Sequence, residues 1–232
     1  MQALRVPKES GLLSLWLATL IYALLKVRTW NFLVLSSLAG SIALLLISDE
    51  ILNLIASKRI KKLIKQLSVV LIFYIPLLLV YPMVLLLGLI TVPLVAIIFL
   101  STSPSREITH GSTIAGSAAL AMHSPILIIS GGELDLAYLL LPPLYSIMAT
   151  SHASIRVLGW ELKALLSGIV AGVTLISITL PSPSLATVIL VDISSRLLQE
   201  ITGLSSKVRV RTYGFIELAR SCLTLAVSAM IG

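Results

Sequence analysis

The sequence predicts an all-α, polytopic transmembrane helix bundle of eight or nine helices, nine preferred, and three observations predict it. Hydrophobic residues make up 57% of the 232 residues and charged ones 12%, where an ordinary soluble domain carries about a quarter charged. The apolar residues fall into runs near the ~20 residues that cross a bilayer as a helix, parted by short polar or basic stretches. Those runs continue as far as Met230, so the first is expected to be a permanent helix and not a cleaved leader. One integral membrane domain is expected over residues 1–232, with a cytoplasmic basic loop at about 57–66.

The first span is expected at about residues 11–25 and the second at about 30–47. The stretch 57–66 (SKRIKKLIKQ) ends this pair, and its bases alternate with Ile60, Leu63 and Ile64. That partly amphipathic pattern suits an anionic lipid surface. Residues 67–100 are almost wholly apolar, too long for one helix and barely long enough for two. Pro76, Pro82 and Pro93 offer breaks, and the turn is placed near Tyr81 and Pro82. This break decides between eight spans and nine.

The fifth span covers about 110–129 and stops at Gly131 and Gly132. The sixth covers about 134–155 and is interrupted by Pro142 and Pro143. The seventh covers about 160–180, with a turn at 181–183, the eighth about 185–202 and the ninth about 215–231. Small residues crowd the fifth span (Gly111, Ala115, Gly116, Ser117, Ala118) and the seventh (Ser167, Gly168, Ala171, Gly172). Such residues let helix backbones approach closely in lipid, so both spans are expected inside the bundle. The Leu- and Ile-rich third and fourth are expected to face lipid.

Charge supplies the orientation. With nine spans and the N-terminus in the cytoplasm, all of the 17 bases fall inside except Lys26 and Arg28, outside, and Arg220, within the last span. The outside turns after spans three, five and seven hold no base, and the second of them holds Glu133 and Asp135. This is the positive-inside pattern, and it places the C-terminus outside. The net charge of +7 is thereby assigned to topology and anionic lipid, not to nucleic acid.

Residues able to carry chemistry are few. Asp192 sits mid-way along the eighth span, where a carboxylate must face protein or water rather than lipid. Arg196 follows at i+4 on the same helical face, and Ser195, Gln199 and Glu200 continue the polar stripe. His123 lies deep in the fifth span, just before Ser124 and Pro125, which imply a local kink. Toward the cytoplasm a rim is expected from Glu9, Asp49, Glu50, Asn53, Arg106, Glu107, His110, Ser151, His152, Arg156, Glu217 and Arg220. A mouth rimmed by both signs suits an anionic head group. Asn53 lies at i+4 from Asp49 and i+3 from Glu50, an incomplete oxygen set for magnesium. The single cysteine, Cys222, can form no intrachain disulfide. No zinc site, phosphate loop, dinucleotide fingerprint or nucleophile elbow is present.

The opening Val6-Pro7-Lys8-Glu9-Ser10-Gly11, running straight into the first span, is similar to the N-terminal proline, base, Glu or Gln, histidine, glycine signature of the YwiC-like family of membrane proteins. Ser10 stands in place of the histidine. Lys207 to Arg211, with Gly214, Phe215 and Glu217, is similar to that family's basic, glycine, aromatic and acidic start of a late helix. More remotely the chain resembles the UbiA-type prenyltransferase fold. That resemblance implies nine helices around a central cavity opening sideways to lipid, and two aspartate-rich cytoplasmic segments holding magnesium on a prenyl diphosphate. The first segment here offers only Asp49, Glu50 and Asn53, and the second, from Ser151 to Arg156, has no carboxylate before Glu161.

Three function classes are therefore carried forward. The first is a membrane protein with a lipid-accessible central cavity and a cytoplasmic polar rim, with membrane lipids as partners. The second is a divergent magnesium-dependent prenyltransferase-like enzyme acting on a prenyl diphosphate. The third is a small proton-coupled transporter relying on Asp192 and His123.

Overall fold

The computed structural model describes residues 10–56, 59–85, 87–89, 110–158, 162–202 and 210–231. Among them the chain forms nine helices: α1 (Ser10–Lys26), α2 (Phe32–Ala56), α3 (Ile60–Val80), α4 (His110–Ala121), α5 (His123–Ser130), α6 (Leu136–Leu158), α7 (Leu162–Thr179), α8 (Pro183–Ile201) and α9 (Val210–Ile231). The expected all-α class holds. The main packing pairs are α1 with α9, α2 with α3, and α6 with both α4 and α7.

The expected eight or nine transmembrane helices do not. Among the described residues three stretches are long and apolar enough to cross a membrane: Lys61–Val80 in α3, Thr113–Ser130 across α4 and α5, and Leu162–Thr179 in α7. The physical reasons differ by helix. The apolar parts of α1 and α2, Leu15–Lys26 and Phe32–Ile47, are short against the ~20 residues a bilayer asks for. The second half of α6 is rich in hydroxyls, with Ser146, Thr150, Ser151 and Ser154 buried. In α8 and α9 the charges of Asp192, Arg196, Glu217 and Arg220 interrupt the apolar run.

Local breaks follow the backbone chemistry. α3 ends at Tyr81, whose N–H still reaches Leu77 O, and a turn at Pro82 and Met83 precedes the helical residues 84–85 and 87–89. The bases Lys61, Lys62 and Lys65 are exposed in the first turns of α3 rather than in a loop. α2 runs beyond the expected 47 to Ala56, so Asp49, Glu50 and Asn53 lie on its last helical turns. The break between α4 and α5 falls at Met122, because Pro125 has no N–H to offer Ala121 O and its ring crowds that carbonyl. In contrast, Pro142 and Pro143 leave α6 continuous. Gly131 closes α5 and Gly132 takes φ +86, a conformation open to glycine at no steric cost.

Burial sorts the helices. α4 and α5 are mostly buried, with Ala115, Ala118, Ala121, Leu127 and Ile128 in the core. α3 exposes Val69, Ile72, Ile75 and Leu79, an apolar face without a neighbour among the described residues. α7 departs from expectation: only a stripe through Gly168, Ala171 and Gly172 meets its neighbours. A Cβ at Gly168 would lie 3.1 Å from Ser151 Cβ, while Leu166, Ile169, Val170 and Val173 are exposed. α2 approaches α3 so closely at Gly40 that a Cβ there would lie 2.8 Å from Tyr74 Cζ. Ser36 Oγ donates to Phe73 O at 2.5 Å across the same interface.

Candidate functional site

On α8 the i, i+4 spacing puts Asp192 and Arg196 on one face. On α9 Glu217, Arg220, Ser221 and Thr224 form a stripe at helical spacing. The two stripes meet with α6, which contributes Tyr145. Arg196 lies at the centre. Its Nε donates to Asp192 Oδ2 at 2.9 Å, its Nη1 to Glu217 Oε2, and its Nη2 to Tyr145 Oη at 3.0 Å.

The surrounding groups close the circuit. Thr224 Oγ1 donates to Asp192 Oδ1 at 3.3 Å, and Arg220 Nε lies 3.9 Å from the same oxygen. Arg220 Nη1 donates to Glu217 Oε1 at 2.9 Å, and Tyr145 Oη to Ser221 Oγ at 3.5 Å. Glu217 thus spans two guanidinium groups, one on each carboxylate oxygen. Two cations and two anions cancel, which is the condition under which charge survives in an apolar interior.

Depth differs within the set. The side chains of Arg196 and Asp192 are 4% and 2% exposed, whereas those of Glu217 and Arg220 are 12% and 14% exposed. The network therefore has a sealed end at Asp192 and an open edge at Glu217 and Arg220. Farther along, His152 on α6 stands 6.3 Å, ring centre to ring centre, from Tyr213 on α9. The outward faces of the same helices are apolar: Leu190, Val191, Leu197 and Leu198 on α8, and Phe215, Ile216 and Leu223 on α9, are exposed.

His123 belongs to a separate place, the α4–α5 break. Its Nδ1 donates to Leu120 O at 2.5 Å, and its ring stacks at a tilt 5.5 Å from Trp16 of α1. Ser124 Oγ donates to Thr19 O at 2.7 Å, tying the break to α1. His123 and Asp192, each expected as a relay or ligand contact in its own right, thus sit in different surroundings. Glu50 is exposed on α2. Asp49, Asn53, His110 and Arg156 lie on α2, α4 and α6 with side chains outside the described residues, and Arg106 and Glu107 lie outside them altogether. Among the described residues no three His, Cys, Asp or Glu side chains converge as a metal site.

A second polar cluster joins two turns. Arg28 meets Glu133 at 2.5 Å, and Lys26 Nζ lies 3.8 Å from the centre of the Tyr138 ring. Thr29 N–H and Oγ1 both donate to Gly131 O at 3.1 Å, and Asn31 Nδ2 donates to Ser130 O. Asp135 caps α6 through Ala137 N–H at 2.8 Å. Partial burial pushes the Lys26 ammonium below its ordinary value, opposed by the Glu133 and Asp135 carboxylates. The bases and acids that charge bias assigned to the outside are thus physical neighbours.

Between α6 and α7 an outward-opening groove of about 390 Å³ is lined by Leu144, Ile147, Leu166 and Val170 among others. The sequence reading missed Tyr145, Ser221 and Thr224, and it placed Glu217 and Arg220 in a rim instead of beside Asp192. The available signal was the α9 spacing, which repeats the polar stripe of α8; nothing local marks Tyr145. No family model, curated protein or solved structure matches the chain.

Proposed function

We propose that the chain is a multi-pass integral membrane protein that couples the movement of a small solute to protons, with Asp192 and Glu217 as its proton-bearing groups. One observation carries this reading: α8 and α9 turn Asp192, Arg196, Glu217 and Arg220 inward and expose Leu190, Val191, Leu197, Leu198, Phe215, Ile216 and Leu223. In water that arrangement is inverted, because exposed polar groups are solvated at no cost. In lipid it is the expected one, and ionisable groups held inside a bundle mark ion and substrate paths.

The chemistry is that of a compensated set that a proton unbalances. Neutralising either carboxylate removes one anion from a group of four charges, so the guanidinium groups must find another partner or part. A three-helix seam responds to that change as a unit. The exposed Lys61, Lys62 and Lys65 at the start of α3 suit anionic lipid head groups. Kinship with the YwiC-like family is part of the proposal and rests on the sequence motifs alone.

The test is purified protein in liposomes carrying an internal pH-sensitive dye, challenged with carboxylates, phosphate, amino acids and sugars in turn. The expected result is that one solute class drives proton movement and that Asp192→Asn abolishes it in folded protein. Coupled movement that survives Asp192→Asn, or no coupled movement with any class, overturns the reading.

A further inference from the structure

Glu217 holds a position that a substrate anion would take. Its Oε2 accepts from Arg196 Nη1 and its Oε1 accepts from Arg220 Nη1, so one carboxylate bridges two guanidinium groups from two helices. Arg196 turns its Nε to Asp192 and its Nη2 to Tyr145. Its Nη1, with Arg220, is what faces the open edge of the network. A planar pair of oxygens between two forks is the geometry by which arginine recognises carboxylates and phosphates.

We propose that Glu217 is an internal stand-in for a small oxyanion, and that the transported class is a carboxylate or phosphate which replaces Glu217 when that residue is protonated. The inference rests on the transport reading and names its substrate. The exchange balances: a proton from water bonds to a Glu217 oxygen, the neutral side chain leaves the two guanidinium groups, and one incoming negative charge restores the sum to zero. Loss of that proton returns the carboxylate and expels the anion.

Other titratable groups near Glu217 set the background. α6 brings Tyr145 and His152, α8 brings Asp192 and Arg196, and α9 itself carries Tyr213, Arg220 and Cys222. α1, packed along α9, carries Tyr22 and Lys26, which interact with Glu133 and Asp135 at the outer turns and not with this network. Asp192 lies at the sealed end, held by Arg196 and Thr224, so Glu217, at the open edge, is the carboxylate whose place an incoming anion can take.

The experiment measures binding, independently of transport, by calorimetry on detergent-purified protein with acetate and with inorganic phosphate. A second arm uses nanodiscs with and without phosphatidic acid, which separates a free anion from a lipid head group. Glu217→Gln is expected to bind one of these oxyanions at least tenfold more tightly than wild type at neutral pH, and Glu217→Gln/Arg220→Gln to lose the gain. Wild type is expected to gain affinity as pH falls, by up to about tenfold per pH unit for a one-proton requirement. Equal affinity in Glu217→Gln and wild type, together with pH-independent wild-type binding, overturns the stand-in while leaving coupled transport testable on its own. Tight oxyanion binding without coupled transport keeps the site and sinks the transport reading.

Discussion

Arg196→Met is the most informative single change. It keeps a long side chain of similar reach and removes three donors at once, those to Asp192, Glu217 and Tyr145. Asp192 then keeps Thr224 at 3.3 Å and a distant Arg220 at 3.9 Å, while Glu217 keeps Arg220. Two carboxylates are left with one guanidinium in a site where the Asp192 side chain is 2% exposed. Removing one partner of a buried pair costs about 3–5 kcal/mol, and for a chain of this size each kcal/mol moves the midpoint by roughly 2–4 °C. The midpoint is therefore expected to fall by roughly 6–20 °C. A thiol-reactive dye reads it through Cys222, the single cysteine of the chain, which is half-buried on α9. Adding Asp192→Asn to Arg196→Met should recover part of the loss, since the orphaned charge is gone. A fall below about 1 kcal/mol, the range of an exposed pair, or no recovery in the double variant, would refute the reasoning that this set is sealed from water.

The same physics sets the remaining expectations. Gly40→Val should destabilise by about 1–3 kcal/mol, because a Cβ there meets Tyr74 Cζ at 2.8 Å and Phe73 Cβ at 3.0 Å; an unchanged dye midpoint would contradict the close α2–α3 approach. At the outer turns Arg28→Ala should cost under about 1 kcal/mol, since the Arg28 side chain is 66% exposed. Glu133→Ala should cost more, because Glu133 Oε1 also accepts from the Leu134 and Asp135 N–H groups; the same dye ranks the two. Asp49→Ala/Glu50→Ala should leave coupled proton movement intact. Loss of magnesium-dependent prenyl diphosphate binding in that double variant would instead favour the transferase alternative.

Much of the fold was legible because it depends on local rules. The break at Pro82, the stop at Gly131 and Gly132, the kink ahead of Pro125 and the turn at 181–183 are written in residues whose backbone geometry is restricted. Asp192 and Arg196 were legible as a pair because i, i+4 spacing fixes their distance within one helix. Glu217, Arg220, Tyr145 and Thr224 were not, since which helix faces which is a tertiary fact that one helix's spacing does not carry. The span count failed for a related reason. Run length treats every apolar stretch alike, yet the apolar parts of α1 and α2 are short, and the charges of Asp192, Arg196, Glu217 and Arg220 interrupt those of α8 and α9.

The central claim, that α8 and α9 present apolar faces to lipid around an enclosed charge network, is tested most directly by spin labels in liposomes. In a Cys222→Ala background, labels at Val191→Cys and Leu223→Cys report the exposed faces, and one at Thr224→Cys reports the network side. The account predicts high collision with oxygen and low collision with a water-soluble nickel chelate at Val191→Cys and Leu223→Cys, and restricted access to both at Thr224→Cys. Free collision with the nickel chelate at Val191→Cys and Leu223→Cys would contradict it.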